Sequence, residues 1–112
     1  HQCSGKPILI GEWSVPALDS GLYDNPNALD WSYPQTVGTQ TERARQAAII
    51  LAQLYNLPFI VGAHWFTWRD FDSPVRRANR GLFRASGEPW LELQIALSSI
   101  QSRINARAAL TR

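Results

Sequence analysis

Methionine is absent from the 112 residues, cysteine occurs once and histidine twice. A lone thiol, Cys3, excludes an internal disulfide framework and any multi-cysteine metal site. His1 and His64 offer no ligand-like spacing, so neither a metal nor another cofactor is expected. No apolar run approaches the ~18 residues needed to span a bilayer, and no membrane partner is expected. Charge of one sign is scarce as well. Eleven Lys and Arg face nine Asp and Glu, a net +2, and Arg76, Arg77, Arg80 and Arg84 are interleaved with acids. That pattern lacks the basic stripe of a nucleic-acid-binding surface. The opening "HQCSGKP" has no initiator methionine, basic region or apolar leader, as expected of a piece taken from a longer chain.

What is present begins with "KPILIGEW". Ile8, Leu9 and Ile10 form the continuous apolar run of a strand buried on both faces, over about residues 7–12. Glu12 ends that run, and a buried unpaired carboxylate is costly. It must therefore emerge into solvent, pair with Lys6 or an arginine, or have its charge put to use. The segment "SVPALDSGLYDNPNALDWSYPQTVG" follows. It is longer than the ~12–15 residues usual for an unstructured loop, and Leu18, Leu22, Tyr23, Leu29, Trp31 and Tyr33 suit a binding loop packed over a surface.

In "TQTERARQAAIILAQLYN", Thr39 and Glu42 have the spacing of a capping box. Ala44, Ala47, Ala48, Leu51 and Tyr55 recur on one face, predicting a helix over about 40–55 closed by Asn56 and Pro58. "PFIVGAHWFTW" reads as a second buried strand over about 58–66, with Gly62 leaving room for close backbone approach. A charged loop, "RDFDSPVRRANRG", comes next, with Asp70 ordering it through a salt bridge and Asn79 and Arg80 shaping a turn. Pro89 suits a first helical position, and Leu93, Leu97, Ile100 and Ile104 predict a helix over about 89–108. The order strand–helix–strand–helix implies an α/β fold with parallel strands and a right-handed crossover. Two strands and two helices cannot cover both sheet faces and both edges. Further strands are expected from outside this chain.

Both strands end in groups able to carry chemistry: Glu12-Trp13 on the first and His64-Trp65 on the second, with Trp68 and Asp70 beyond. Ligands of parallel α/β folds bind at the carboxyl ends of strands, and neighbouring strands lie about 4.8 Å apart. A carboxylate, an imidazole and several indoles on one rim suit sugar chemistry. "KPILIGEW", the long loop, "TQTERARQ", "FIVGAHWFTWRD" and "NRGLF" before a terminal helix together resemble the last quarter of a clan A glycoside hydrolase, more narrowly its agarase and β-galactosidase-like members. The resemblance implies a partial (β/α)₈ TIM barrel comprising strand seven, helix seven, strand eight and helix eight, with residues 1–112 the C-terminal part of one catalytic domain. It implies Glu12 as the catalytic nucleophile of a retaining mechanism and Trp65 or Trp68 as the aromatic platform. His64 becomes a hydrogen-bonding group at the same subsite. It further implies a β-linked carbohydrate substrate, N-terminal barrel strands supplied by the parent chain, and a secreted or periplasmic parent.

The family's acid/base, a glutamate on strand four, has no counterpart here, so this chain alone is expected to be inactive. Each residue also has a plainer reading. His64 reads equally well as a buried imidazole bonded to a backbone carbonyl. Trp65 and Trp68, three positions apart, cannot point the same way in a regular strand, and Trp65 is favoured as the platform. Trp13 should pack under a helix, with a substrate contact as its alternative. Cys3 is read as inert. Two other functions fit the same residues: a non-catalytic carbohydrate-binding module, and a module that only completes a larger fold through its open sheet edge.

Overall fold

A computed structural model describes residues 5–23 and 35–110. Cys3, Asp24, Leu29, Asp30, Trp31 and Tyr33 lie outside the described residues. Strand β1 (Ile8–Trp13) leads through a 3-10 turn (Leu18–Ser20) to helix α1 (Gln40–Tyr55) and strand β2 (Ile60–Trp65). A small hairpin of β3 (Phe71–Ser73) and β4 (Arg76–Ala78) precedes helix α2 (Leu91–Leu110). β1 and β2 pair in parallel, with Ile8 opposite Ile60, Ile10 opposite Ala63 and Trp13 opposite Trp65. The ladder slips between Ile10 and Trp13, and both Gly11 and Glu12 are exposed there.

Helix α1 starts where its capping box predicts. The Glu42 amide donates to Thr39 Oγ1 at 3.1 Å, while Glu42 Oε2 accepts from the amides of Thr39 and Gly38 at 3.3 and 2.9 Å. Its buried stripe is Arg43, Ala44, Ala47 and Leu51. Ala47 joins Val15, Trp90 and Leu93 at the centre of the core, with Trp13, Trp65 and Leu97 packed around them. The helices thus cover one face of the β1–β2 sheet. On the other face Leu9 and Val61 are 53% and 62% exposed, so these strands are buried on one side within this chain rather than on two. Gly62 makes room for a side chain, not a backbone: a Cβ there would lie 2.8 Å from Leu9 Cδ1.

The charged loop after β2 is more ordered than its composition implies. Thr67 and Asp70 amides donate to the carbonyls of Arg80 and Phe83 at 2.8 and 2.9 Å, and Leu82 and Phe83 amides return bonds to Thr67 and Trp68 at 3.1 and 3.0 Å. The two strands of this clasp approach so closely at Gly81 that a Cβ would lie 2.3–2.4 Å from Asp70 N, Arg69 C and Phe83 O. Only glycine fits that crossing. Pro89 does not open α2; it pairs with Phe83 in an isolated bridge, and the helix begins at Leu91. The long loop after β1 is pinched at its base, where Leu18 N donates to Val37 O and Val37 N to Pro16 O, each at 2.9 Å.

Arg43 fastens these pieces together. It is fully buried and donates to the carbonyls of Val15 at 2.6 Å, Asn79 at 3.2 Å and Gly81 at 2.8 Å, and to Gln40 Oε1 at 3.2 Å. Removing it strands three interior carbonyls and an unbalanced Asp70. Arg43→Met is expected to cost about 3–5 kcal/mol, read by urea unfolding of the chain. A loss below about 1 kcal/mol would mean that those carbonyls find other donors.

Candidate active site

The carboxyl ends of β1 and β2 lie side by side, and Phe66 N continues the ladder by donating to Trp13 O at 2.8 Å. The indoles of Trp13 and Trp65 meet edge to face, with centroids 4.9 Å apart and planes at 77°. Both belong to the layer between sheet and helices. Side chains alternate along a strand, so Glu12 and His64 are directed to the sheet's other face, and both are exposed.

Glu12 is therefore not buried. Its side chain is 55% exposed, and its Oε1 lies 4.0 Å from Nη1 of Arg80, a residue whose own side chain is 5% exposed. The expectation of an arginine partner is met by Arg80 rather than by a residue near in sequence. The alternative of a buried His64 is overturned by its exposure. Trp13 packs against Trp65 and the core.

The two candidate platform indoles exchange places. Trp65 is packed inward: its Nε1 donates to Arg80 O at 2.9 Å, and the Arg43 guanidinium carbon lies 5.7 Å from its ring centroid. Trp68, beyond the strand end, is 65% exposed and leans on Phe83 with centroids 4.7 Å apart and planes at 38°. An exposed indole backed by a second ring is a ready stacking surface; an indole committed to a backbone carbonyl and a buried cation is not. The chain leaves the strand after Trp65 and turns Trp68 outward, so Trp68 is the more open of the two indoles.

Beneath this rim lies a buried polar cluster. Asp70 does not pair with Arg69 in forming it. Its oxygens accept from Asn79 Nδ2 at 3.1 Å, Gly81 N at 2.7 Å and Trp90 Nε1 at 2.8 Å. Asn79 Oδ1 accepts from Ala17 N at 3.0 Å and Gln40 Nε2 at 2.9 Å, and Asn79 N donates to the Tyr23 hydroxyl at 2.8 Å. Burial pushes the Arg43 guanidinium down to about 10, against the pull of the Asp70 charge. Burial likewise raises the Asp70 carboxyl, opposed by the Gly81 and Trp90 donors and by Arg43, and it raises the Tyr23 phenol. Sequence reasoning missed Arg43, although a signal was there: positions 43, 47 and 51 share one helical face, and an arginine on that apolar stripe must be buried or break it.

Among the described residues no group of three or more His, Cys, Asp or Glu could hold a metal ion, and no helix is long and apolar enough to cross a membrane.

No family model matches the chain. Over 70 residues, 62% of its length, it is 31% identical to β-agarase B of Vibrio sp. (strain JT0107), and it spans 6% of that protein. Solved structures of similar fold include an exo-β-agarase (TM-score 0.73, 25% identity, 90% of this chain and 13% of that one). Another is PfGH50B (TM-score 0.76, 25% identity, 92% of this chain and 15% of that one). A third is an agarase (TM-score 0.75, 25% identity, 90% of this chain and 14% of that one). In sequence and in fold the chain is thus agarase-like, similar to a small part of glycoside hydrolases several times its length.

The Asp70 shift has a definite sign. A carboxyl raised on folding contributes stability that is complete below the ordinary aspartate range, about 4, and is lost as pH rises through the raised value. The stability difference between the wild type and Asp70→Asn, measured by urea unfolding, should therefore move in favour of the variant as pH is raised from about 4 towards neutrality. A difference that stays level across that span would mean that the bound donors offset burial completely.

Proposed function

We propose that this chain forms part of a retaining glycoside hydrolase acting on a β-linked polysaccharide, with Glu12 as the nucleophile. The observation that carries the reading is an exposed carboxylate at the carboxyl end of a parallel strand, in a chain similar to agarases. The two strand–helix units are read as the last two of a (β/α)₈ barrel. The parallel β1–β2 pair and its bare second face support this, since further strands would cover Leu9 and Val61. Trp68 serves as the stacking platform for a sugar ring. His64, on the same strand-end face as Glu12, hydrogen-bonds hydroxyls of the same sugar.

In this reading a Glu12 oxygen attacks the anomeric carbon as the glycosidic oxygen departs with a proton from an acid, and water later releases the sugar. That acid must sit about 5–5.5 Å from the nucleophile. Every other acid among the described residues has a different task. Asp70 lies in the buried cluster, Asp72 pairs with Arg77 at 3.2 Å and Glu88 with Arg84 at 3.7 Å. Glu42 caps α1, Glu92 accepts from Thr41 at 2.8 Å and Asp19 accepts from Gln40 N at 3.2 Å. None of the described acids is thus left for that role; the family resemblance puts the acid on a segment beyond this chain, and the 112 residues by themselves are expected not to hydrolyse glycans. A non-catalytic sugar-binding role remains the second reading, favoured by the exposed Trp68–Phe83 pair.

Two measurements separate these readings. In the longer protein that carries this sequence, Glu12→Ala should abolish hydrolysis of agar-derived oligosaccharides, and added azide should restore it as a replacement nucleophile. Unchanged turnover would remove Glu12 from the mechanism. In calorimetry with the same oligosaccharides, Trp68→Ala should weaken binding by about 1–3 kcal/mol without lowering the melting temperature. Trp65→Ala should instead lower the melting temperature by removing core packing, and the reverse pattern would return the platform to Trp65.

A further inference from the structure

Arg80 has a role that neither the agarase likeness nor the nucleophile reading assigns. Its guanidinium is nearly solvent-free, yet Nη1 faces the exposed Glu12 carboxylate at 4.0 Å. A buried cation attracts carboxylates within reach, and Glu12 is one of these. The pair is unequal in mobility. Arg80 is pinned through its own carbonyl, which accepts from Thr67 N at 2.8 Å and Trp65 Nε1 at 2.9 Å. It also sits between Asn79 and Gly81, both buried in the clasp that Asp70 and Arg43 close. The Phe66 ring, 6.0 Å from the guanidinium carbon, forms one wall beside it. The backbone that carries the charge is thus fixed and its side chain enclosed, while the carboxylate is the more exposed partner.

We propose that Arg80 is a positioning residue that aims the Glu12 carboxylate by charge; this rests on the nucleophile reading of Glu12. A distance of 4.0 Å exceeds that of a hydrogen bond, so the attraction orients the group without tying up a lone pair that must attack carbon. With Oε1 nearest the arginine, the attack on carbon falls, on this proposal, to the other oxygen, Oε2. The clasp beneath the rim therefore transmits the rigidity of α1 to the attacking atom.

The test uses turnover of the longer protein carrying this sequence, with the variants Glu12→Gln, Arg80→Met and Arg80→Lys. Arg80→Met should lower kcat by about 10²-fold while KM stays within about twofold, the signature of a misaimed rather than an unbound substrate. Arg80→Lys, which keeps the charge but loses the planar fork, should recover about tenfold of that loss. An inactive Glu12→Gln beside a fully active Arg80→Met overturns the positioning role alone. A fully active Glu12→Gln overturns both the nucleophile reading and this proposal. Should Arg80→Met fail to fold, Arg80→Lys decides: wild-type kcat, or KM and kcat falling together with thermal stability, rejects positioning. A readout free of turnover is available in the 112-residue chain. The melting-temperature changes of Glu12→Gln and Arg80→Lys should be non-additive, and strict additivity overturns the proposal.

Discussion

A single desolvated guanidinium organises this molecule. Arg43 reaches from α1 under the strand ends and donates to carbonyls of the segment after β1 and of the segment after β2. The rings of Trp65 and Trp90 flank it at 5.7 and 5.8 Å. Asp70 supplies the compensating charge from within the same cluster. Full hydrogen bonding is what makes such burial tolerable. The reward is geometric, because two loops that would otherwise be independent are fastened to one helix. The rim residues Glu12, Arg80 and Trp68 all grow from segments so fastened.

Legibility in the sequence followed the range of the forces involved. Elements set by local chemistry were readable: the capping box at Thr39 and Glu42 gave the start of α1, and two branched apolar runs gave β1 and β2. Their parallel pairing followed from the intervening helix. Features depending on distant partners were not readable. The bonds from Arg43 to Val15, Asn79 and Gly81 span 28–38 positions, and no periodicity reports them. The hairpin β3–β4 was hidden in a loop too charged and too short to show alternation. Pro89 misled because a proline that suits a helix start suits an extended bridge equally well.

The candidate site shows the same division. That Glu12 ends a strand is a local fact and was legible. Which indole faces solvent depends on where the chain leaves the strand, and that is decided by Trp65 Nε1 bonding to Arg80 O. Position 65 is thereby committed to the interior while position 68 is expelled. Arg80 itself looked like a turn residue, and it does stand at one. Its proximity to Glu12, 68 positions earlier, arises only once the clasp has closed.

The Asp70–Asn79 bond separates what the clasp needs from what it merely carries. Every residue of the hairpin, from Phe71 to Ala78, lies between those two anchors, and its tip at Val75 is 92% exposed. Length or composition can change there without reaching the interior, since exposed tips tolerate insertion. The tip of the hairpin is thus an exchangeable cassette on a fixed mount, to which the buried Ala78 belongs. Related chains are free to vary it, and with it whatever borders the rim, while the mount stays the same.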